Sequence, residues 1–271
     1  MFSKRLVLSL LIAAVASCLL AGCATARASK VVQPPFRVMT FNIHHGEGLD
    51  GKLDLERIAA VIQQQGADIV SLQEVDKGLQ RTARRDMPAE LARLTGMTCV
   101  FSNNFATQGG EYGNAILSRF PVVSTTNHPL PKISANEPRG LLEARLQLPA
   151  GPVRFMATHL DHRSIEEDRL AGVERIRQVI ESDPQTPVII AGDFNAAPNS
   201  ETYRRLTSFL TDAWTASTQD PGYTIPATKP NRRIDYIFYR APRLQPGNPK
   251  VVATPSSDHL PVVVEFTVTN P

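Results

Sequence analysis

Eight residues of this chain, Asn42, Glu74, His159, Asp193, Asn195, Asp235, Asp258 and His259, are of the types that hold hard cations and move protons. Carboxylates, carboxamides and imidazoles without thiols suit an oxygen-seeking ion such as Mg²⁺ or Mn²⁺. They suit structural zinc poorly, because the chain has no Cys/His ligand spacing. A carboxylate placed behind an imidazole would fix the ring's tautomer and favour its charged form. The eight lie far apart in sequence, so only the fold can bring them together.

The stretch that organises the rest is Pro187 to Asn195. Four apolar residues, Val188 to Ala191, run into Gly192-Asp193-Phe194-Asn195, and Ala197-Pro198 then breaks the chain. A short apolar run between breakers reads as a buried strand. Strand side chains alternate, so Asp193 and Asn195 leave its end on one face and Phe194 on the other. The other polar candidates recur at strand ends. Phe36–Ile43 alternates Val38, Thr40 and Asn42 against Met39, Phe41 and Ile43. Ala67–Leu72 is an apolar strand closed by Gln73-Glu74. Tyr112–Ser118, Leu141–Leu148 and Val153–Leu160 read as strands, the last ending in His159-Leu160-Asp161. Arg233–Tyr239 and Leu260–Val268 each carry a polar cluster at or beside their start.

Helices separate these strands. Leu55, Ile58, Ala59 and Ile62 have helical spacing within Asp54–Gln65, and Gly66 stops that helix. Pro88–Thr95 and Ser200–Leu210 read as short helices. Ser164 with Glu167 predicts a capping box for a helix continued by Leu170, Val173, Ile176 and Ile180. Strands alternating with helices at this spacing imply a layered α/β protein. Such a fold gathers strand ends on one rim, where sites form.

Residues 1–22 read as a secretory signal. Lys4 and Arg5 precede an apolar stretch from Leu6 to Leu20, too short and wrongly flanked for a membrane-spanning helix. Leu20-Ala21-Gly22-Cys23 resembles a bacterial lipobox, which implies cleavage before Cys23 and acylation of that cysteine. The alternative is an ordinary signal cut near Ala24 to Ala28. Residues 23–35 are then the lipidated cysteine and a tether ending in Pro34-Pro35. Ala24 after the cysteine resembles the class sorted to the outer membrane, so an exported protein facing the periplasm is expected. The remainder, 36–270, fits one domain. With Cys18 removed and Cys23 acylated, only Cys99 remains, so stability must come from a core. Without Lys4 and Arg5 the chain has 27 basic against 26 acidic residues, which gives no electrostatic case for tight non-specific nucleic-acid binding.

The motifs resemble those of the endonuclease/exonuclease/phosphatase superfamily. The matching pieces are Thr40-Phe41-Asn42-Ile43, Leu72-Gln73-Glu74-Val75, Tyr112-Gly113-Asn114-Ala115-Ile116-Leu117-Ser118-Arg119, Thr158-His159-Leu160-Asp161, Gly192-Asp193-Phe194-Asn195, Arg233-Ile234-Asp235-Tyr236-Ile237 and Ser257-Asp258-His259-Leu260-Pro261-Val262. They come in the family's order and span nearly all of 36–268. The resemblance implies a four-layer α/β sandwich, two mixed β-sheets packed face to face with helices outside. It also implies divalent-metal-dependent hydrolysis of a phosphoester by water, without a covalent intermediate. A monomer is expected. On this reading Glu74 is the main metal carboxylate, for Mg²⁺ or Mn²⁺, with Asn42 and Asp258 nearby. Asp193 orients or deprotonates the water, and Asn195 donates to phosphate or water. His259 bonds the phosphate and is held by Asp235; His159 is a second histidine at the phosphate or leaving group. Arg139 and Asn114 are candidate phosphate or substrate contacts.

Other residues have plainer readings. Asp235 could instead pair with Arg232 or Arg233. His44 and His45 are expected to line the site or lie on the surface, and Asp161 and His162 to be structural. Arg81, Arg84 and Arg85 read as a solvated loop, with contact to an anionic polymer or lipid head groups as the alternative. The substrate expected is a small phosphoester or lipid head group, reached from a membrane anchor. The alternative is a nuclease acting on DNA or RNA; against it, aromatics are only 6% of residues and no Lys/Arg run exceeds two. A non-catalytic binding lipoprotein would tolerate damaged catalytic positions, yet all eight are intact.

Overall fold

The computed structural model describes residues 34–269. The signal expected at 1–22, Cys23 and all but the last two residues of the tether lie outside them. Two sheets dominate. The first is ordered β11 (Leu244–Pro246), β13 (Val262–Val268), β1 (Phe36–Asn42), β2 (Ile69–Lys77), β4 (Gly110–Ser118), β3 (Thr98–Thr107), with β12 (Lys250–Val251) also pairing β13. The second is ordered β5 (Val122–Pro129), β6 (Gly140–Leu148), β7 (Gly151–His159), β8 (Val188–Asp193), β10 (Asp235–Arg240), β9 (Thr211–Asp212). The pairs β1–β2 and β7–β8 are parallel and the other pairings antiparallel, so both sheets are mixed.

Strand alternation divides the apolar residues among three cores. Val38, Ile69, Ile116, Phe155, Ala157, Ile189, Ala191, Ile237 and Val264 meet between the sheets. Met39, Phe41, Val70 and Leu72 face outward under α1 (Leu55–Gln64) and α2 (Met87–Thr95). Ile190, Phe194, Tyr236 and Phe238 face outward under α3 (Glu167–Glu181) and α4 (Glu201–Thr207). The result is helix, sheet, sheet, helix: the four-layer sandwich. At the site end the inter-sheet space turns polar. Buried Thr40 bonds Gln73, Gln73 bonds Ser71, and the Ser71 hydroxyl donates across to the Ala191 carbonyl at 2.9 Å.

Four local expectations change. β2 does not end at Leu72 but runs to Lys77 through a bulge, where Gln73 and Glu74 together oppose Asn114. β3 and β5 are strands that periodicity misses; both are sheet edges with half-exposed, largely polar sequences. The Ser164–Glu167 capping box does not form: α3 begins at Glu167, and its N-cap Glu166 makes no side-chain cap. Instead the Glu166 carboxylate accepts from the Thr202 amide and hydroxyl, tying α3 to α4. Ser200 caps α4, its hydroxyl accepting from the Tyr203 amide.

Candidate active site

The inward faces of the central strands converge at one rim. On β1 the inward set Val38, Thr40 continues to Asn42; on β8, Ile189 and Ala191 continue to Asp193; on β7, Phe155 and Ala157 continue to His159; on β10, Ile237 leads back to Asp235. Asn42 and Asp193 therefore meet from opposite sheets. The Asn42 amide nitrogen donates to Asp193 Oδ2 and to Glu74 Oε1, both at 3.1 Å. Its oxygen accepts from the His44 amide. Glu74 would follow β2 alternation to the helical side, but the bulge and its φ of 59° redirect it to the rim. Gly192 precedes Asp193 because β7 and β8 lie too close there for a side chain: a Cβ would sit 2.0 Å from the Thr158 carbonyl oxygen.

Asp193 is 1% exposed. Burial, then the charge of Asp235, push its carboxyl up to about 7. Its Oδ1 accepts from the Asn195 amide at 2.9 Å. Its Oδ2 lies 3.5 Å from His159 Nε2 and 3.8 Å from His259 Nε2. Asp235 Oδ2 accepts from the Thr224 hydroxyl at 2.6 Å and from His259 Nδ1 at 2.9 Å. Arg233 pairs with Asp212 instead, so the plainer reading of Asp235 as its partner does not hold.

The two histidines are held in opposite charge states. Burial would depress His259, but Asp235, by charge and hydrogen bond, with Asp193 behind it, raise it to about 10. His159 is pressed well below the usual histidine range, by burial first and the Arg139 charge second. Arg139 Nη1 lies 3.3 Å from its Nδ1 and the Asn195 amide nitrogen 3.1 Å from its Nε2. Asn195 also donates to the Leu160 carbonyl, so its amide orients His159 rather than standing free for phosphate. Glu74, 22% exposed at its side chain, is opposed by burial but held far below the usual carboxylate range by His45, His159, Asn42 and His44.

These residues line a cleft of about 590 Å³. Of the expected substrate contacts, Arg139 lines it, ion-paired to Glu137 at 3.1 Å. Asn114 is buried beneath it and donates to the Gly140 carbonyl at 3.2 Å, holding β4 to β6. His44, His45 and Asp258 line the cleft as well, and His162 does so beside Arg139. Sequence reasoning missed one wall. Arg81, read as a solvated loop residue, makes a paired contact to buried Asp76 at 2.7 Å and stacks over Tyr112. Phe105, Thr107 and Gln108 of the β3–β4 hairpin line the cleft with it, as do Ile225, Arg232 and Ile234. The arginine cluster was the one signal that pointed there. Arg84 and Arg85 hold turn carbonyls and Glu90 instead.

Two groups offer cation ligands. Glu74, Asp258, His44 and His45 line the cleft and buried Asn42 bonds Glu74, a thiol-free oxygen and nitrogen set. These donor types suit a divalent cation. Asp193, Asp235 and His259 are the one acid and imidazole group among the described residues whose ligand atoms lie within 4.8 Å of one another. There, however, Asp235 Oδ2 and His259 Nδ1 are already bonded to each other.

A profile described as the Endonuclease/Exonuclease/phosphatase family matches residues 39–259. The chain is 27% identical over 217 residues to the uncharacterized protein YbhP of Escherichia coli K12, covering 76% of this chain and 85% of that one. Among solved structures, an endonuclease/exonuclease/phosphatase from Beutenbergia cavernae has a TM-score of 0.75 at 27% identity, covering 88% of this chain and 72% of that one. The human Nocturnin catalytic domain, solved with a bound sulfate anion, has a TM-score of 0.72 at 25% identity, covering 88% and 96%.

Proposed function

We propose a function for a chain that belongs to the endonuclease/exonuclease/phosphatase family: divalent-metal-dependent hydrolysis of a small phosphoester or lipid head group by direct attack of water on phosphorus. The observation that carries it is the opposed pair of histidines flanking buried Asp193, one held cationic by Asp235 and one held neutral by burial and Arg139. Enzymes separate acid from base in this way.

In this reading Asp193 takes the proton of the attacking water, a task suited to a carboxyl raised towards neutrality. Asn195 fixes Asp193 through its backbone amide and His159 through its side chain. His259, cationic and anchored by Asp235, donates from Nε2 to a phosphoryl oxygen on which charge accumulates. Arg139 adds a second fixed positive charge at the same face. Glu74, Asp258 and Asn42 would hold Mg²⁺ or Mn²⁺, which supplies neutralisation of the phosphoryl oxygens. The cleft volume supports a small substrate, within the range of small-molecule sites. A nuclease is the second reading, and the Phe105 and Tyr112 rings in the cleft wall favour it, since aromatic faces accept bases. Export, acylation at Cys23 and a monomeric state remain part of the proposal. Among the described residues, no helix is long and apolar enough to cross a membrane.

The test is hydrolysis with Mg²⁺ or Mn²⁺, and with chelator, of plasmid DNA, RNA, bis-p-nitrophenyl phosphate, p-nitrophenyl phosphate, sphingomyelin and phosphoinositides. Asp193→Asn runs beside the wild type and should lose about 10²–10⁴-fold in kcat or more. Turnover of a small ester or lipid with DNA intact supports the first reading. Metal-dependent plasmid nicking that disappears in the mutant selects the nuclease. Full activity in Asp193→Asn refutes the assignment of roles.

A further inference from the structure

Asp76 lies on β2 just beyond Glu74 and is fully buried. A buried carboxylate is costly unless it is paired. Its partner is Arg81, which donates from Nε to Oδ2 and from Nη2 to Oδ1, both at 2.7 Å. Those bonds use one edge of the planar guanidinium. The other edge, Nη1 with the second hydrogen of Nη2, is a complete fork of donors. Among the described residues nothing accepts from Nη1. The Arg81 side chain is 35% exposed and lines the cleft, so the fork has access to what enters there.

The fork is held rigidly. The guanidinium stacks over the Tyr112 ring, 5.4 Å from its centroid. The Arg81 amide donates to the Gln108 side chain at 3.1 Å. Arg84 Nη1 donates to the carbonyls of Gly78, Gln108 and Gly109, which welds the turn carrying Arg81 to the β3–β4 hairpin. Hydrogen bonds to Asp76, opposed by burial and helped by the charge of Glu74, raise the guanidinium pKa, so Arg81 stays cationic and stands within electrostatic reach of Glu74. A donor pair fixed in this way loses little conformational freedom when a ligand binds.

The phosphoryl under attack leaves this edge unused. Arg139 and His259 face that phosphoryl in the reading above, and Arg139 is paired with Glu137. The contacts of Arg81 among the described residues are with Asp76, Tyr112 and Gln108, not with Asp193, His159 or His259. We propose that the free edge of Arg81 binds a second anionic group, a carboxylate or a phosphate, on the organic part of the substrate, so that the enzyme prefers small phosphoesters acidic at both ends. The proposal rests on the reading of this cleft as a phosphoester site. Two parallel N–H donors match two oxygens of either group, and such paired contacts are strong and directional. Tyr112, with one face covered by the guanidinium, has less surface to offer a base.

The test uses the full chain in detergent with Mg²⁺, carrying Asp193→Asn so that esters persist during titration. Calorimetry compares glycerol 3-phosphate with 3-phosphoglycerate, and sorbitol 6-phosphate with 6-phosphogluconate and sorbitol 1,6-bisphosphate. Members of each set share a carbon chain and differ at the end away from the common phosphate, which is neutral, a carboxylate or a phosphate. At least one acidic ester should bind about 10–100-fold tighter than its neutral counterpart, and which one does so identifies the anion. Two variants remove the fork in that background. Arg81→Lys keeps a cation beside Asp76 but has no second edge. Asp76→Asn with Arg81→Gln leaves no buried charge unpaired. In both, the preference should fall to within about threefold while the neutral esters keep their affinity. No preference in the parent protein, a preference that survives in either variant, or an equal loss of the neutral esters overturns the proposal and leaves the hydrolase reading standing. If the parent binds none of the esters, neutral or acidic, the phosphoester reading itself is refuted.

Discussion

Asp193 and Asp235 are register partners on neighbouring strands, yet their surroundings give them different work. Asp235 has two donors on one oxygen, the Thr224 hydroxyl and His259, and acts through the imidazole it holds. Asp193 shares its Oδ2 among an amide and two more distant imidazole nitrogens, and burial raises it. Asp235→Asn should therefore keep the position of the ring but remove the charge that makes it cationic. We expect kcat to fall by about 10²-fold or more with KM changed far less, measured on whichever ester the panel identifies. Most of these residues were legible in the sequence because each sits at the end of an alternating strand. Asn42, His159, Asp193 and Asp235 follow directly from that alternation. The role of Asn195 did not, because its φ of 49° turns the amide towards His159 and no sequence pattern announces that. Arg81 was missed because a charge cluster carries no information on which member folds inward; the buried Asp76 that captures it lies five residues away.

At the level of elements, two features carry the geometry. Gly192 lets β7 and β8 approach, and Gly192→Ala would force the backbone of Thr158 aside. Overpacking of this kind costs about 1–3 kcal/mol, and here it also separates His159 from Asp193. A drop in melting temperature together with a loss of kcat is expected; a fully active, fully stable variant would contradict the close approach. The second feature is Arg154 of β7. It is buried, pairs with Glu143 of β6 at 2.7 Å, and donates to the carbonyls of Val179, Ile180 and Asp183, closing the C-terminus of α3. That end of the helix has no basic residue of its own in its last turn, and the strand supplies one. Burial opposes the charge on Glu143, but Arg154 and His128 hold its carboxyl below the usual range. A depressed carboxyl stabilises the fold above its unfolded value and ceases to do so as pH falls through the folded one. The stability difference between wild type and Glu143→Gln should hold from pH 8 to about 5 and narrow below about pH 4. Glu143→Gln should lower stability at neutral pH by about 3–5 kcal/mol and flatten the acid fall. The edge strands β3 and β5 were illegible because one flank has no neighbour and much of each strand meets solvent, so the sequence there is not obliged to alternate.

For the molecule as a whole, a layered α/β protein was legible in the alternation of strands and helices, and its four-layer form was implied by the family resemblance. Which rim carries the site followed from the same reasoning, since every strong candidate lay at the corresponding end of its strand. The bulge in β2 was the part that periodicity could not give, and without it Glu74 would lie on the helical side. Because that acid is an expected cation ligand, binding should stabilise the whole domain by mass action. Mn²⁺ at 100 times its Kd should add about 2.7 kcal/mol, or about 5–11 °C for a domain of this size. Glu74→Gln should abolish the shift, and an undiminished shift would place the ion elsewhere.

β1 enters the sandwich at Phe36 and reaches the site at Asn42, so the chain's point of entry and its cleft sit at opposite poles, about 20 Å apart along the strand. The far pole is identified by a second hollow lined by Pro34, Pro35, Phe36, Asp68, Phe120, Leu148 and Val268, the other ends of the same strands. Held at Cys23 as proposed, the domain would hang by its back. Ten residues, 24–33, lie between that cysteine and Pro34, a leash of at most about 35 Å. If the chain were anchored there, a substrate dissolved in the surrounding fluid would meet the mouth at the opposite pole more readily than a lipid of the anchoring leaflet.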